Sequence, residues 1–272
     1  MEGNVSIKRV LVTGGRGMLG QDLCSIFSDN GCIVKQTDID DMDVRKYDLI
    51  SQTIDECQPE IILHLAALTD VDGCEREPED SYHTNAVGTK NVALAAQSYQ
   101  LPVVYISTGS VFNGDKQEPY HEFDDPDPKS VYARSKLAGE NFIRELTDEF
   151  YIVRAGWMFG GGPLDKKFVA KMIDIAKKYG KLQAVNDKFG TPTYTADFAS
   201  GIYNLIKTGR FGTYHMGNTG WCSRLEMAEK IVEYAGLEDC PVIGVNSAQF
   251  PLAAHRPRME AIDSLHCRLE GF

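Results

Sequence analysis

The sequence lacks the features that mark several classes of protein. No apolar run approaches the roughly 20 residues that a membrane-spanning helix needs, and the first residues do not have the basic-then-apolar order of a secretion signal. The 7 cysteines are odd in number and include no Cys-x-x-Cys pair, which argues against a disulfide framework and a zinc ribbon. We therefore expect a cytoplasmic protein that has no membrane partner.

Positive charge is also scarce. The chain has 28 Lys and Arg against 39 Asp and Glu, so its formal net charge is -11. Such a chain has no general electrostatic attraction for nucleic acid or anionic lipid, although a small anion can still bind at a local site. Nucleic acid is therefore not an expected partner.

What the sequence does contain is an alternation of short apolar runs and stretches with helical spacing. The 272 residues, 43% of them hydrophobic, are enough to bury a sizeable core. The apolar runs at 9–12, 61–65, 103–106 and 151–153 lack the in-and-out alternation of a half-exposed antiparallel sheet. This pattern predicts an α/β fold with a doubly wound, parallel sheet of the Rossmann type.

The alternation becomes less regular past about residue 156. We expect residues 1–155 to form a dinucleotide-binding domain and residues 156–272 to form mainly a smaller C-terminal substrate-binding domain. Part of roughly 190–211 is expected to pack back on the first domain. The substrate cleft should then lie between the two parts.

A glycine-rich turn follows the first predicted strand and opens a helix. Gly14, Gly17 and Gly20 allow a tight turn, close approach of the backbone to a pyrophosphate, and close packing of helix on strand. Asp38 follows the second strand, where a carboxylate can bind an adenosine ribose hydroxyl, although a solvated strand end is an equal alternative. The turn predicts a dinucleotide cofactor.

A second group of residues combines a phenol, an amine and hydroxyls. Tyr132 and Lys136 are four residues apart in a predicted helix and so share one face. We expect the Lys136 ammonium to lower the pKa of Tyr132, so that the phenol exchanges a proton with a carbonyl or alcohol oxygen near neutral pH. Thr108 and Ser110 follow a strand end, where a hydroxyl can bind the same oxygen.

Together these motifs resemble the extended short-chain dehydrogenase/reductases. Further motifs narrow the resemblance to the dTDP-4-dehydrorhamnose reductase family, and they lie at residues 66–72, 85–86, 131–140, 157, 189–193 and 256–257. The likeness runs from about residue 8 to residue 269. The glycine-rich and Tyr-x-x-x-Lys motifs specify only the superfamily, whereas the other elements are typical of the narrower family.

The resemblance implies a set of site residues. The catalytic set is Thr108, Tyr132 and Lys136. The glycine-rich turn and the resemblance together assign cofactor binding to Tyr132 and Lys136 and to Gly14, Arg16, Gly17, Met18, Leu19, Gly20, Asp38, Asp43, Val44, Ala66, Ala67 and Thr69. The substrate side is assigned to Val71, Gly109, Ser110, Trp157 and Arg256. A core aromatic at the domain boundary and a surface ion pair are the competing interpretations of Trp157 and Arg256.

The implied activity is NAD(P)H-dependent reduction of the C4 ketone of a nucleotide-linked 4-keto-6-deoxy sugar. The expected substrate is dTDP-4-dehydrorhamnose or a close analogue, and the reaction requires no metal. NADPH is the expected cofactor and NADH the second choice, since Asp38 favours NADH whereas Arg16 can bind the 2′-phosphate of NADPH. The expected partners are the nucleotide sugar and a second copy of the chain in a homodimer.

Two departures from the family pattern bear on this interpretation. Gly109 and Ser110 stand where the family has Asp-Tyr, which predicts a roomier sugar pocket. The substrate would then be another 4-ketosugar, or the protein would discriminate less between several 4-ketosugars. Alternatively, water fills the vacated space and the substrate is unchanged. The family usually has a further helix after the segment matching 264–269, whereas this chain stops at Phe272.

Two other functions therefore stay open. One is an epimerase or dehydratase of the same superfamily, which would retain its NAD through the cycle. The other is a non-catalytic regulatory subunit resembling that of methionine adenosyltransferase. Net consumption of reduced cofactor would distinguish the reductase from the first, and turnover of a ketosugar would distinguish it from the second.

Overall fold

The computed structural model describes residues 7–271, which form twelve strands and ten α-helices. The strands are β1 (Arg9–Thr13), β2 (Ile33–Gln36), β3 (Ile61–His64), β4 (Val103–Thr108), β5 (Phe150–Ala155), β6 (Trp157–Phe159), β7 (Leu182–Val185), β8 (Phe189–Gly190), β9 (Pro192–Tyr194), β10 (Gly212–Met216), β11 (Cys222–Ser223) and β12 (Val242–Val245). The helices are α1 (Met18–Asp29), α2 (Tyr47–Cys57), α3 (Val71–Arg76), α4 (Pro78–Tyr82), α5 (Thr89–Tyr99), α6 (Val131–Leu146), α7 (Phe168–Tyr179), α8 (Thr195–Thr208), α9 (Arg224–Tyr234) and α10 (Leu265–Glu270).

Six strands form one sheet in the order β10-β5-β4-β3-β1-β2, and every neighbouring pair is parallel. The inner strands are buried on both faces, which explains why their sequences are continuous apolar runs. Helices cover both faces. The predicted α/β fold with a doubly wound, parallel Rossmann-type sheet is confirmed.

Two apolar clusters hold the helices on the sheet. On one face α1 and α8 contribute Leu23, Phe27, Ile202 and Leu205, all at most 1% exposed. On the other face, side chains of α2, α5 and α6 pack on the sheet. The amphipathic spacing of these helices follows from this arrangement, because each covers the sheet with a single face.

The order of the strands creates a crevice at one edge of the sheet. The chain passes from β1 to β2 on one side and returns to β3 on the other side of β1. The loops after β1 and β3 therefore diverge at the carboxyl ends of these strands, where ligands of open α/β sheets bind. The glycine-rich turn and residues 66–69 lie at this crevice.

The second half of the chain contributes to the main sheet as well as to smaller layers. Helix α8 packs on α1, and strand β10 pairs with β5, so the returning segment extends beyond the expected 190–211. The remaining elements include the parallel pair β7–β12, against which α7 and α9 pack.

Within residues 7–271, no helix is both long and apolar enough to cross a membrane.

Candidate active site

The glycine-rich turn brings β1, α1 and the end of β3 into close contact. Gly14 has a positive φ of 65°, and a Cβ on it would lie 2.7 Å from the backbone nitrogen of Ala66. A Cβ on Gly20 would collide with the backbone of Gly15. Helix α1 begins after Gly17 without a side-chain cap, so the N–H groups of its first turn remain free to bind a phosphate.

These elements surround a cavity of about 520 Å³. Its lining includes all of the predicted cofactor-binding residues except Arg16, namely Gly14, Gly17, Met18, Leu19, Gly20, Asp38, Asp43, Val44, Ala66, Ala67, Thr69, Tyr132 and Lys136. Asp43 is held in place by a hydrogen bond of 2.8 Å from Arg45, which lowers the pKa of the carboxyl group. The cavity has the size, the free amides and, in Asp38 after β2, the carboxylate that are typical of a dinucleotide site.

Arg16 lies outside this lining. Its guanidinium forms ion pairs with Asp41 and, at 3.5 Å, with Asp40, while its backbone nitrogen donates to Asp38 at 3.2 Å. The sequence interpretation did not consider these acidic neighbours of Asp38. Their attraction turns the Arg16 side chain toward them.

The predicted catalytic residues come together at the carboxyl end of β4. Thr108 is the last residue of this strand, and its Oγ1 accepts a hydrogen bond of 3.1 Å from the backbone nitrogen of Ser110. This bond uses only a lone pair of Oγ1, so the Thr108 hydroxyl can still donate its proton, and Tyr132 lies within its hydrogen-bonding reach. Helix α6 begins at a Ser130 cap, and Tyr132 and Lys136 line the cavity from its first two turns.

The expectation that Lys136 lowers the pKa of Tyr132 is wrong for this structure. Burial raises the pKa of Tyr132 to about 12, although a hydrogen bond with Thr108 acts in the opposite direction. Burial also lowers the pKa of Lys136 to about 7. Both shifts arise because removal from water penalises the charged form of each group, so Tyr132 is held as a neutral proton donor.

A buried polar network lies behind Lys136. The Lys136 ammonium sits 4.1 Å from the ring centre of Tyr105, and Glu140 follows one turn later on α6. The Glu140 carboxylate accepts hydrogen bonds from Arg154 at 2.7 and 2.9 Å and from Ser107 at 2.6 Å. These donors lower the pKa of Glu140 to about 2, against the effect of its burial. The ionised Glu140 carboxylate opposes the loss of the Lys136 proton.

A second cavity of about 210 Å³ adjoins the first. Four of the five predicted substrate residues line it, namely Val71, Ser110, Trp157 and Arg256. Gly109 does not line it, since a Cβ at this position would lie 2.9 Å from both the Glu260 carbonyl oxygen and a methyl group of Ile262. In this chain the close packing of residues 260–262 fills the space beside Gly109, so the glycine does not enlarge the sugar pocket.

The second cavity also contains charged residues that sequence reasoning missed. Glu260 accepts hydrogen bonds from Ser110 and Trp157, and the Arg224 guanidinium stacks 3.4 Å from the Trp157 ring centre. Arg256 donates to Asp72 at 2.7 Å, so the predicted ion pair exists, yet the arginine also lines the cavity. Glu260 is 150 positions from Ser110 in sequence. No local sequence pattern indicated that Glu260 or Arg224 belongs to the site.

Comparison with known proteins identifies relatives of this arrangement. The family model described as the RmlD substrate binding domain matches residues 8–271. The chain is 36% identical to the spore coat polysaccharide biosynthesis protein SpsK of Bacillus subtilis (strain 168), over 92% of this chain and 87% of that protein. It is 34% identical to the dTDP-4-dehydrorhamnose reductase of Mycobacterium tuberculosis (strain ATCC 25618 / H37Rv), over 97% of this chain and 88% of that enzyme.

A solved structure agrees with these sequence relationships. The crystal structure of dTDP-4-dehydrorhamnose reductase from Bacillus anthracis str. Ames, in complex with NADP, matches this protein with a TM-score of 0.94. The two chains are 39% identical, and the match covers 98% of this chain and 94% of that one. Sequence and fold agree, and the chain belongs to the dTDP-4-dehydrorhamnose reductase family.

Proposed function

We propose that this protein uses NADPH to reduce the C4 ketone of a nucleotide-linked 4-keto-6-deoxy sugar, with dTDP-4-dehydrorhamnose as the first candidate. The observation that carries the proposal is that Thr108 and Tyr132 line both cavities. A proton donor at this junction can reach an oxygen on a substrate in one cavity while a dinucleotide occupies the other. The named activity of the Mycobacterium tuberculosis relative supports the substrate class.

The larger cavity fits the dinucleotide. The free N–H groups at the start of α1 would hold the pyrophosphate, and Asp43 and Val44 would contact the adenine. The NADP in the Bacillus anthracis structure supports NADPH as the cofactor. When bound, the reduced nicotinamide supplies a hydride to C4 of the sugar.

The protein then has to supply a proton to the sugar oxygen. Thr108 donates a hydrogen bond to that oxygen, which stabilises the negative charge that develops on it. Tyr132 transfers its proton, and its high pKa ensures that the phenol is fully protonated before the reaction. The Lys136 ammonium binds the nicotinamide ribose and restores the proton to Tyr132.

A substrate panel tests the proposal. The protein is incubated with dTDP-, UDP- and GDP-linked 4-keto-6-deoxy sugars, and NADPH and NADH consumption is followed by absorbance. We expect stoichiometric oxidation of NADPH with at least one of these sugars and formation of the 4-hydroxy product. Conversion without net cofactor consumption would instead identify an epimerase or dehydratase, and the absence of any conversion would favour a regulatory subunit.

The choice between the two cofactors gives a prediction about Arg16. To bind the 2′-phosphate of NADPH, the Arg16 guanidinium must leave Asp40 and Asp41. It would then form charge-assisted hydrogen bonds with the phosphate oxygens. We expect Arg16→Ala to raise the KM for NADPH by about tenfold and to change the KM for NADH little. Steady-state kinetics with both cofactors measure this, and NADH serves as the internal control. An equal change in the two KM values would rule out contact with the 2′-phosphate.

The low pKa of Lys136 gives a prediction about pH. Since burial lowers this pKa to about 7, the ammonium is present below pH 7 and is lost as the pH rises. We expect kcat/KM for reduction, which reports groups of the free enzyme, to fall by about tenfold per pH unit above pH 7. In Lys136→Arg the decline should disappear, because a guanidinium stays charged. A wild-type kcat/KM that does not change from pH 6 to 9 would contradict this role of Lys136. Lys90→Arg, on the exposed side of α5, is the control and should keep the wild-type pH profile.

A further inference from the structure

The Glu260 carboxylate is fixed in orientation within the sugar-side cavity. Its Oε1 accepts a hydrogen bond of 2.6 Å from Ser110 Oγ, and its Oε2 accepts one of 3.0 Å from Trp157 Nε1. Both donors are uncharged, and across residues 7–271 no lysine, arginine or histidine forms an ion pair with it. Two side chains from distant parts of the chain thus orient the carboxylate through neutral hydrogen-bond donors.

This carboxylate has acceptor capacity left over. A carboxylate offers about four lone-pair directions, of which Ser110 and Trp157 occupy two. Because Glu260 lines the cavity, the remaining directions are open to a bound molecule. A ligand that offered no donor there would leave these lone pairs unsatisfied, which is costly away from water.

Glu260 also lies close to the reacting groups. Ser110 is two residues from Thr108, and both line the same cavity as Tyr132. The negative charge of Glu260 contributes to the raised pKa of Tyr132, which places the two side chains within electrostatic reach. Glu260 therefore shares one cavity with Thr108 and Tyr132, the two groups that would bind the ketone oxygen.

The other charges of the cavity orient the substrate. Arg224 stacks on Trp157, and Arg256 lines the same space, so this part of the cavity suits a diphosphate. A nucleotide diphosphate repels a carboxylate, whereas a neutral sugar can hydrogen-bond to one. We therefore expect the arginines to bind the diphosphate and Glu260 to hydrogen-bond to the neutral sugar.

We propose that Glu260 is a specificity-determining residue that accepts a hydrogen bond from the C3 hydroxyl of the sugar, between Ser110 and Trp157. This inference rests on the proposed function. In a 4-keto-6-deoxy sugar, C4 has two ring neighbours: C3 carries a hydroxyl, whereas C5 carries a methyl group that cannot donate. With the ketone oxygen at Thr108 and Tyr132, the C3 hydroxyl is the donor beside the ketone.

The charge distribution favours a hydroxyl over an ammonium group at this position. The Arg224 guanidinium stacks over the Trp157 ring, and Glu260 stabilises its charged form against the effect of burial. The carboxylate already has a cation nearby, so a cationic amino sugar is not needed to balance it. A neutral donor completes its hydrogen bonds without adding charge to the cavity.

The experiment compares two substrates in three proteins. The substrates are the best ketosugar of the panel and its 3-deoxy analogue, and the proteins are the wild type, Glu260→Gln and Ser110→Ala. In the wild type, we expect loss of the C3 hydroxyl to lower kcat/KM by about 10- to 100-fold. In Glu260→Gln the ratio of kcat/KM for the ketosugar to kcat/KM for its 3-deoxy analogue should shrink by about tenfold. Ser110→Ala keeps the carboxylate but removes one of the two donors that orient it, so its ratio should lie between those of the wild type and Glu260→Gln.

Each alternative outcome contradicts the proposal in a recognisable way. Equal loss of kcat/KM for both substrates in Glu260→Gln would mean that Glu260 only supports Trp157. A wild-type preference for the 3-amino-3-deoxy analogue would replace the hydroxyl with an ammonium ligand. Failure of the wild type to reduce any ketosugar would overturn the proposed function itself, which is a distinct result.

A binding measurement covers variants that lose activity. The 4-hydroxy product and its 3-deoxy counterpart are titrated calorimetrically into the complex of each protein with NADP⁺. We expect the wild type to bind the product more tightly than its 3-deoxy counterpart by about tenfold or more, and Glu260→Gln to bind the two alike. If both proteins make the same distinction, Glu260 does not recognise the C3 hydroxyl. Unchanged NADP⁺ affinity shows that the variant is folded.

Discussion

Replacement of Tyr132 by phenylalanine is expected to lower kcat for ketosugar reduction by about 10²- to 10⁴-fold, the usual cost of losing a general acid. Tyr132 lies at the junction of the two cavities, and burial keeps its phenol protonated. The variant retains the ring but has no proton to give to the sugar oxygen. Thr108 can still bind that oxygen, so a residual rate should remain.

The same variant should bind NADPH almost as well as the wild type does. Single-turnover kinetics measure the chemical step, and quenching of protein fluorescence measures NADPH binding. Tyr99→Phe is a matched control, because it removes a tyrosine hydroxyl from α5, where its partners are Ser51 and Asp55. A Tyr132→Phe enzyme that reduces substrate at the wild-type rate would show that another group donates the proton.

Truncation of Glu140 should have the largest effect on stability. Arg154 is 2% exposed and Glu140 is fully buried, so Glu140→Ala would leave a guanidinium in the interior without its carboxylate partner. We expect a loss of about 3–5 kcal/mol in the free energy of unfolding. Urea denaturation measures this. Glu145→Ala, on the exposed side of the same helix, should change stability by no more than about 0.5 kcal/mol.

The effect of pH on stability has a definite sign here. The pKa of Glu140 is lowered from 4.5 to about 2, so its stabilising contribution is fully present above pH 4.5. It is lost as the pH falls from 4.5 toward 2. Glu140→Gln should therefore lose less stability than the wild type across this range.

A double variant tests the cause of the destabilisation in Glu140→Ala. If Glu140→Met, Arg154→Met is as unstable as Glu140→Ala, then the unpaired charge of Arg154 is not that cause.

Local features of the site could be predicted from the sequence. The glycine-rich turn depends on backbone conformations that glycine adopts readily, such as the positive φ of Gly14. Tyr132 and Lys136 share a helix face because the helical repeat places them there. The apolar runs identify the strands of the parallel sheet. Each of these inferences uses residues that are adjacent in sequence or one turn apart.

Features that depend on distant residues could not be predicted in this way. Glu260 takes its place from Ser110 and Trp157, and no pattern in the sequence connects the three. The expected effect of Lys136 on the pKa of Tyr132 considered the neighbouring charge but not the burial of both groups. Gly109 was interpreted from the missing side chains alone, whereas its neighbours in space are residues 260–262.

The placement of strand β10 has a consequence for engineering. This strand forms one edge of the main sheet beside β5, although residues 156–211 separate the two in sequence. A chimaera that joined residues 1–155 to the remainder of a relative would therefore also exchange the edge strand and α8, which packs on α1. Transplanting a new sugar specificity onto this scaffold requires several crossovers, placed on either side of α8 and β10.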